Sequence, residues 1–182
     1  MIDDYYIETF MEHYDFIQEN GVKMTFMVTR YHTLSDKRKQ MFRQIYTDGH
    51  ELGFHGTHHI SAIEYLKDHT IEEYINYEIL PDLEMMKHDG YNVTNFSYPY
   101  GKHTPELDSI LLSRFFYSLK LGTTRLILYN VPIAKGIVRP IPIDDNYNIR
   151  FEKLLAYADT AKKYNKIIMF YAHKLNPDNY KI

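Results

Sequence analysis

The sequence predicts an α/β fold in which parallel strands alternate with crossover helices along a chain of 182 residues. Three observations predict this fold. Short β-rich runs alternate with runs of helical periodicity, no internal repeat or linker divides the chain, and several polar residues directly follow strand-like runs. Such alternation at this length is typical of one domain with a sizeable core. We therefore expect a single domain over residues 1–182, built as a barrel or an open doubly wound sheet.

The first elements follow from apolar spacing and capping residues. Residues 7–18 carry apolar side chains at helical spacing, and VKMTFMV (22–28) is typical of a buried strand. Ser35 is a candidate N-cap for a helix that ends before Gly49. ELGF (51–54) then predicts a short strand that ends at a cluster of histidines.

A long helical pattern occupies the middle of the chain. Thr70 and Glu73 form a capping-box signature for a helix over residues 71–88. Pro81 lies inside that pattern and predicts a kink or a break, because proline cannot donate the helical hydrogen bond. The run 93–98 then predicts the next strand.

The last third of the chain predicts two helices and several strands. Thr104 and Pro105 supply an N-cap and a first-turn proline for one helix, and residues 150–164 have the periodicity of the other. The remaining apolar runs are strand-like, and they cover residues 116–121, 125–131, 136–143 and 166–172.

Composition excludes several classes of protein. The formal net charge is -3 and no long Lys/Arg run is present, which argues against a nucleic-acid-binding face or a polybasic membrane anchor. No apolar run approaches the roughly 20 residues that cross a bilayer, and no signal-peptide pattern precedes the folded sequence. The chain has no cysteine, so a metal ion must be bound by His, Asp, Glu or backbone oxygen.

The stretch GHELGFHGTHHIS (49–61) holds four of the ten histidines. His55 and His59 stand four residues apart, a spacing that lets two imidazoles bind one ion, although such a pair alone is more often a solvated loop. Near the N-terminus, Asp3 and Asp4 come directly after residues that are typical of the end of a strand. One carboxylate with two imidazoles leaves positions open for water and substrate, which is the pattern of a catalytic metal site.

Further candidates follow other strand-like runs. Pro99, Tyr100 and Gly101 come after one run, and His173 comes after the last. The carboxyl ends of parallel strands meet at one rim, so we expect these residues and the acidic pair to lie together.

In these motifs the sequence resembles the NodB-homology polysaccharide deacetylases, which form carbohydrate esterase family four. The resemblance rests on Asp3-Asp4, GHELGFHGTHH, FSYPYG and YAH, in that order, and it runs from residue 2 to about residue 174. It implies a distorted (β/α) barrel with fewer than eight complete units. It also implies a metal-dependent hydrolase that removes acetyl groups from N-acetylated, or less often O-acetylated, sugar polymers.

Carried over by position, the resemblance assigns a role to each motif residue. Asp4, His55 and His59 would hold a divalent metal, with zinc the first choice and cobalt, nickel, manganese and iron as alternatives. Asp3 would be the general base, the backbone N–H of Tyr100 would bind the oxyanion, and His173 would be the general acid. The implied partner is a polysaccharide or oligosaccharide.

The chain departs from the family pattern in three places. Tyr5 stands where the family has the glycine of Asp-Asp-Gly, and Ser97 stands where it has an arginine that pairs with the base aspartate. Arg139 is the candidate to replace that arginine. The first strand also has only two residues before its acidic pair, so we expect a truncated first strand and missing upstream residues.

A family Asp-x-x-Asp-Trp motif is not recognisable, and Asp144 and Asp145 are the candidates to orient His173. Two other functions stay open at this stage. One is a catalytically silent carbohydrate-binding domain on the same barrel, and the other is a non-haem iron site of two histidines and one carboxylate. The family is often extracytoplasmic, but neither the location nor the oligomeric state is predicted from this chain.

Overall fold

A computed structural model describes residues 1–144, 147 and 149–173 of the chain. Its main sheet has six parallel strands whose spatial order follows their order in the sequence. The strands are β1 (Ile2–Asp3), β2 (Thr25–Val28), β3 (Glu51–Phe54), β4 (Asn95–Ser97), β5 (Ser118–Lys120) and β6 (Gly136–Val138). The alternation of strands and crossover helices in the sequence therefore predicted the sheet correctly.

Two further parallel strands close the structure, β7 (Ile141–Pro142) and β8 (Phe170–Tyr171). Beyond β8 the chain returns to β1, where the N–H of Asp3 donates to the carbonyl of Ala172 at 2.9 Å. The N–H of Ala172 donates in turn to the carbonyl of Met1 at 3.0 Å. The sheet thus curves into a distorted barrel, and residues 121–135 join β5 to β6 without a helix. The expected barrel with fewer than eight complete units is confirmed.

Eight α-helices cover the described chain, and several begin at the predicted caps. The Ser35 hydroxyl accepts the N–H of Arg38 at 3.4 Å, and the Thr104 hydroxyl accepts the N–H of Leu107 at 3.2 Å. The helices are α1 (Ile7–Met11), α2 (Tyr14–Glu19), α3 (Asp36–Thr47), α4 (Ala62–Tyr65), α5 (Ile71–Tyr74), α6 (Leu80–His88), α7 (Pro105–Arg114) and α8 (Phe151–Lys163). None of these helices, in the part of the chain that the structure describes, is long and apolar enough to span a bilayer.

The predicted break at Pro81 takes the form of a π-helical turn. The capping box of Thr70 and Glu73 starts α5 as expected, and a π-helix over Ile75–Ile79 joins α5 to α6. Pro81 lies in the first turn of α6, where a missing N–H is tolerated. A π-turn inserts one extra residue, so it rotates the side chains that it carries relative to a regular helix.

Two predicted strands differ in the structure. Residues 125–131 form no ladder, and their one bridge is the antiparallel pair of Tyr129 and Ile167. The run 136–143 is divided into β6 and β7 at Pro140, which has no N–H to donate to a ladder. Apolar content alone cannot separate a short strand from an extended loop, which explains the error at residues 125–131, whereas Pro140 explains the division of the second run.

Aromatic rings fill the core between the sheet and the helices. The ring centroids of Phe54 and Phe96 lie 5.8 Å apart, and those of Phe96 and Phe116 lie 5.2 Å apart. Tyr31 and Tyr74 are also fully buried. Burying one such ring stabilises the fold by about 1.5–3 kcal/mol, so much of the high aromatic content serves packing.

Candidate active site

The carboxyl ends of the strands meet at one rim of the barrel, as the sequence predicted. Asp3 ends β1, His55 follows β3 and Lys120 ends β5. These side chains line a cavity of about 260 Å³ together with Asp4, His59 and His173. The same cavity is also lined by Tyr100 and Gly101, so the candidates from four separate segments lie around one space.

Three of these residues form a compact ligand set. Asp4 Oδ1 lies 3.7 Å from His55 Nε2 and 3.5 Å from His59 Nε2, and the two Nε2 atoms are 3.2 Å apart. Metal–ligand bonds of about 2.1 Å in a tetrahedron place ligand atoms about 3.4 Å from one another. The spacing of Asp4, His55 and His59 therefore fits one tetrahedral cation.

The protonation of the two imidazoles also fits a cation. His55 Nδ1 lies 2.7 Å from the carbonyl oxygen of Ser97, to which it must donate, so Nε2 is left without a proton and faces the cavity. Burial lowers the pKa of His55. Burial, and then the neighbouring His55 ring, lowers the pKa of His59 to about 4. Both rings are thus neutral at neutral pH, the state that binds metal.

Site residues adopt backbone conformations that are rare outside glycine. Asp4 has φ 73°, His59 has φ 60° and Tyr100 has φ 59°. Each such residue costs of order 1 kcal/mol, which the surrounding structure must offset. The left-handed residue in the first motif is Asp4, a residue type that tolerates this conformation, and not Tyr5. A tyrosine can therefore stand at the position where the family has glycine.

The cation beside Asp3 is Lys120, and not Arg139 as predicted. The Lys120 ammonium contacts Asp3 Oδ2, and the exposed fractions of the two side chains are 3% and 5%. Lys120 is the register partner of Ser97 on the neighbouring strand. Relative to the family arginine at the position of Ser97, the positive charge therefore lies one strand further along the sheet. Arg139 is not among the described residues that line the cavity, and its N–H donates to the Tyr129 hydroxyl at 2.6 Å.

The ion pair keeps Asp3 charged in spite of its burial. Burial opposes ionisation of Asp3, but its charged neighbours, Lys120 first among them, hold the pKa of that carboxyl below its ordinary value. Burial lowers the pKa of Lys120, and Asp3 offsets this only in part. The sequence signal for this residue is a lysine inside the strand-like run FYSLKL (116–121).

His173 also lines the cavity, and the carboxylate of Asp144 contacts its ring. The ring Nδ1 of His173 is 2.8 Å from Asp144 Oδ2, and the backbone N–H of His173 donates to Asp144 Oδ1 at 3.1 Å. The hydrogen bond that Asp144 accepts from the His173 ring raises the pKa of His173, although burial opposes this rise. Asp144 therefore lies where it was expected, and Asp145 lies outside the described residues.

Tyr100 lies in a tight turn, Pro99–Gly101, directly after β4. Its ring is 67% exposed, and the ring centroid is 4.8 Å from that of His59. Tyr100 therefore lines the cavity, and its exposed ring lies beside that of His59.

Comparisons with known proteins identify the family and the fold of the chain. Residues 1–113 match the sequence profile of the family described as polysaccharide deacetylase. A search of curated proteins finds no match. The fold is similar to a mutant of the peptidoglycan deacetylase PdaC from Bacillus subtilis, with a TM-score of 0.57 and 15% identity over 98% of this chain and 74% of that chain.

Two other solved structures are similar in fold. The deacetylase PplD of Streptococcus pyogenes in complex with acetate gives a TM-score of 0.61 and 16% identity over 85% of this chain and 67% of that chain. A mutant of the family-four pseudoenzyme BA3943 with restored enzymatic activity gives a TM-score of 0.59 and 14% identity over 94% of this chain and 54% of that chain. This chain thus spans between 54% and 74% of the length of the three structures. On the evidence of its profile match, its barrel and its ordered motifs, the chain belongs to the polysaccharide deacetylase family.

Proposed function

We propose that this protein is a metal-dependent hydrolase that removes acetyl groups from N-acetylated sugar polymers. The observation that carries the proposal is the convergence of Asp4, His55 and His59 beside the buried, ionised Asp3. Asp4, His55 and His59 would hold the ion, and zinc is our first choice because these oxygen and nitrogen donors suit it. A divalent ion bound there supplies Lewis-acid polarisation of the acetyl carbonyl and acidifies bound water.

Asp3 is the general base in this proposal, and one of its oxygens is free for the task. Oδ2 accepts from Lys120 and, at 3.4 Å, from the Ser97 hydroxyl. Oδ1 is buried and has no hydrogen-bond partner among the described residues. The proton of the attacking water therefore goes to Oδ1, while the Lys120 contact holds the carboxylate in place.

Two further groups serve the later steps. The backbone N–H of Tyr100 donates to the oxyanion of the tetrahedral intermediate, and the loss of one such donor costs about 3 kcal/mol. His173 protonates the departing amine, because the Asp144 hydrogen bond keeps it protonated to higher pH than an ordinary histidine.

Removal of metal is the direct test of this function. A chelator is expected to stop acetate release from chito-oligosaccharides, and added zinc or cobalt is expected to restore it, because the carbonyl is otherwise not polarised. Acetate is measured after dialysis against each metal. Undiminished acetate release from fully chelated protein would contradict the proposal.

The pH profile tests the assignment of His173. Asp144→Asn removes the group that raises the His173 pKa, so the alkaline limb of kcat should move to lower pH. The sign follows because the acid must be protonated to act, and a lower pKa means that it loses its proton earlier as pH rises. The measurement is kcat between about pH 5 and pH 10. An alkaline limb that stays in place would exclude the proposed acid.

A catalytically silent carbohydrate-binding domain is the second candidate, and Ser97 at the position of the motif arginine favours it. Calorimetry separates the two, since sugar binding that chelators leave unchanged, with no acetate formed, supports the silent domain. The fold does not support the alternative of a non-haem iron site, because a parallel α/β barrel is not the usual scaffold of such sites.

A further inference from the structure

A buried carboxyl group lies directly behind the loop that carries His59. Glu78 has 0% exposure, and its two oxygens accept the backbone N–H groups of His58 at 2.7 Å and Ile60 at 3.0 Å. The backbone carbonyl of Glu78 also accepts the N–H of Thr57 at 2.9 Å. The two residues that flank His59 are thus both bonded to one side chain.

The conformation of His59 is the reason that such a clamp is needed. Its φ of 60° lies in the left-handed region, which a side chain with a Cβ avoids unless its surroundings impose it. N–H groups that turn toward one acceptor around a left-handed residue form a concave site for an anionic group. Glu78 supplies that acceptor from inside the protein, so the turn at His59 is fixed from behind.

Two features of the sequence let Glu78 reach this loop. Glu78 belongs to the π-helical turn Ile75–Ile79, whose extra residue alters the direction of the side chains that it carries. Gly56 has φ 88°, and a Cβ at this position would lie 2.1 Å from Glu78 Oε1. A side chain at position 56 would therefore occupy the space of the carboxyl group.

We propose that Glu78 is a positioning residue that fixes the imidazole of His59 for metal binding, by holding the backbone on both sides of it. This proposal rests on the proposed function for the metal itself, but the clamp on the loop exists without it. The π-turn and Gly56 are the structural features that make the clamp fit.

The test compares two matched substitutions. Glu78→Gln keeps the size of the side chain but turns an N–H donor toward one of the two backbone N–H groups. Glu51→Gln is the control, because Glu51 accepts hydrogen bonds at the other end of β3, including that of the Thr25 hydroxyl at 2.6 Å. Burial raises the pKa of Glu78 to about 7. The unaltered protein and both variants are therefore compared at about pH 8, where Glu78 is ionised in the proteins that keep it.

Zinc affinity and amide exchange are the two readouts. Glu78→Gln should raise the Kd for Zn²⁺ alone, measured by chelator competition, by about 10- to 100-fold. It should also speed hydrogen exchange at the amides of His58 and Ile60, whereas Glu51→Gln should change neither quantity. If Glu78→Gln lowers Tm but leaves the zinc Kd of the folded protein unchanged, Glu78 only stabilises the fold and the proposal is overturned.

The failures of the two proposals are distinguishable. If the unaltered protein binds no zinc, the proposed function fails, and the exchange rates still decide whether Glu78 holds the loop. Amides of His58 and Ile60 that exchange as fast as exposed amides in the unaltered protein would overturn the clamp without any variant. Should Glu78→Gln not fold, Glu78→Asp keeps the charge, and an unchanged zinc Kd in that shortened variant overturns the proposal as well.

Discussion

Asp3→Asn is expected to reduce acetate release by about 10²- to 10⁴-fold while the protein still binds zinc. The reason is that Asn has no oxygen basic enough to take the proton from water, whereas Asp4 and both imidazoles are unchanged. Acetate release from a chito-oligosaccharide gives the rate, and elemental analysis of the dialysed protein gives the zinc content. Asp15→Asn, at an exposed position on α2, is the control.

The same substitution has a predictable cost in stability that must be separated from the loss of the base. Without Asp3, the ammonium of Lys120 is buried and unpaired, and breaking a buried pair costs about 3–5 kcal/mol. The double variant Asp3→Asn/Lys120→Met removes the unpaired charge and should recover much of the free energy of unfolding. It should stay inactive. Full activity in either variant would show that Asp3 is not the base.

Lys120→Met is expected to move the acid limb of kcat/KM to higher pH and to lower the free energy of unfolding by about 3–5 kcal/mol at neutral pH. Lys120 is the main group that holds the pKa of Asp3 down against burial, so Asp3 would lose its proton only at higher pH. The pair stabilises the fold above the ordinary pKa of an aspartate, and this contribution is lost as pH falls through the lowered pKa of Asp3. The difference in stability between the variant and the unaltered protein should therefore narrow in acid.

A transfer of charge tests whether Lys120 takes the role of the motif arginine. Ser97 and Lys120 are register partners on adjacent strands, so Ser97→Arg/Lys120→Met places a cation on the other strand of the same pair. The double variant should return the acid limb toward that of the unaltered protein. Lys102→Met, at an exposed position near the rim, is the control and should leave the profile unchanged. If Lys120→Met has an unaltered acid limb, the ion pair does not tune the base.

Local signals in the sequence predicted much of the fold. Ser35 and Thr104 cap their helices through hydrogen bonds to residues three positions ahead, and such contacts depend only on nearby sequence. The run 125–131 was wrongly predicted as a strand, because its apolar residues fit either a strand or a packed loop. Whether a run joins a sheet depends on its partners, which local sequence does not specify.

The same distinction separates the predicted and the missed parts of the site. Ordered motifs at strand ends predicted that Asp4, His55 and His59 would meet. The contact of Lys120 with Asp3 depends on the pairing register of β4 with β5, and the reach of Glu78 depends on a π-turn. Neither register nor a π-turn has a clear pattern in a single sequence.

Anomalous diffraction from a zinc-soaked crystal, recorded on both sides of the zinc absorption edge, tests the central claim most directly. We predict one strong peak on this rim, about 2.0–2.2 Å from a carboxylate oxygen of Asp4 and from Nε2 of both His55 and His59. A crystal in which Asp4 turns away from the two imidazoles, or in which zinc binds elsewhere and leaves His55 and His59 without a ligand, would contradict it.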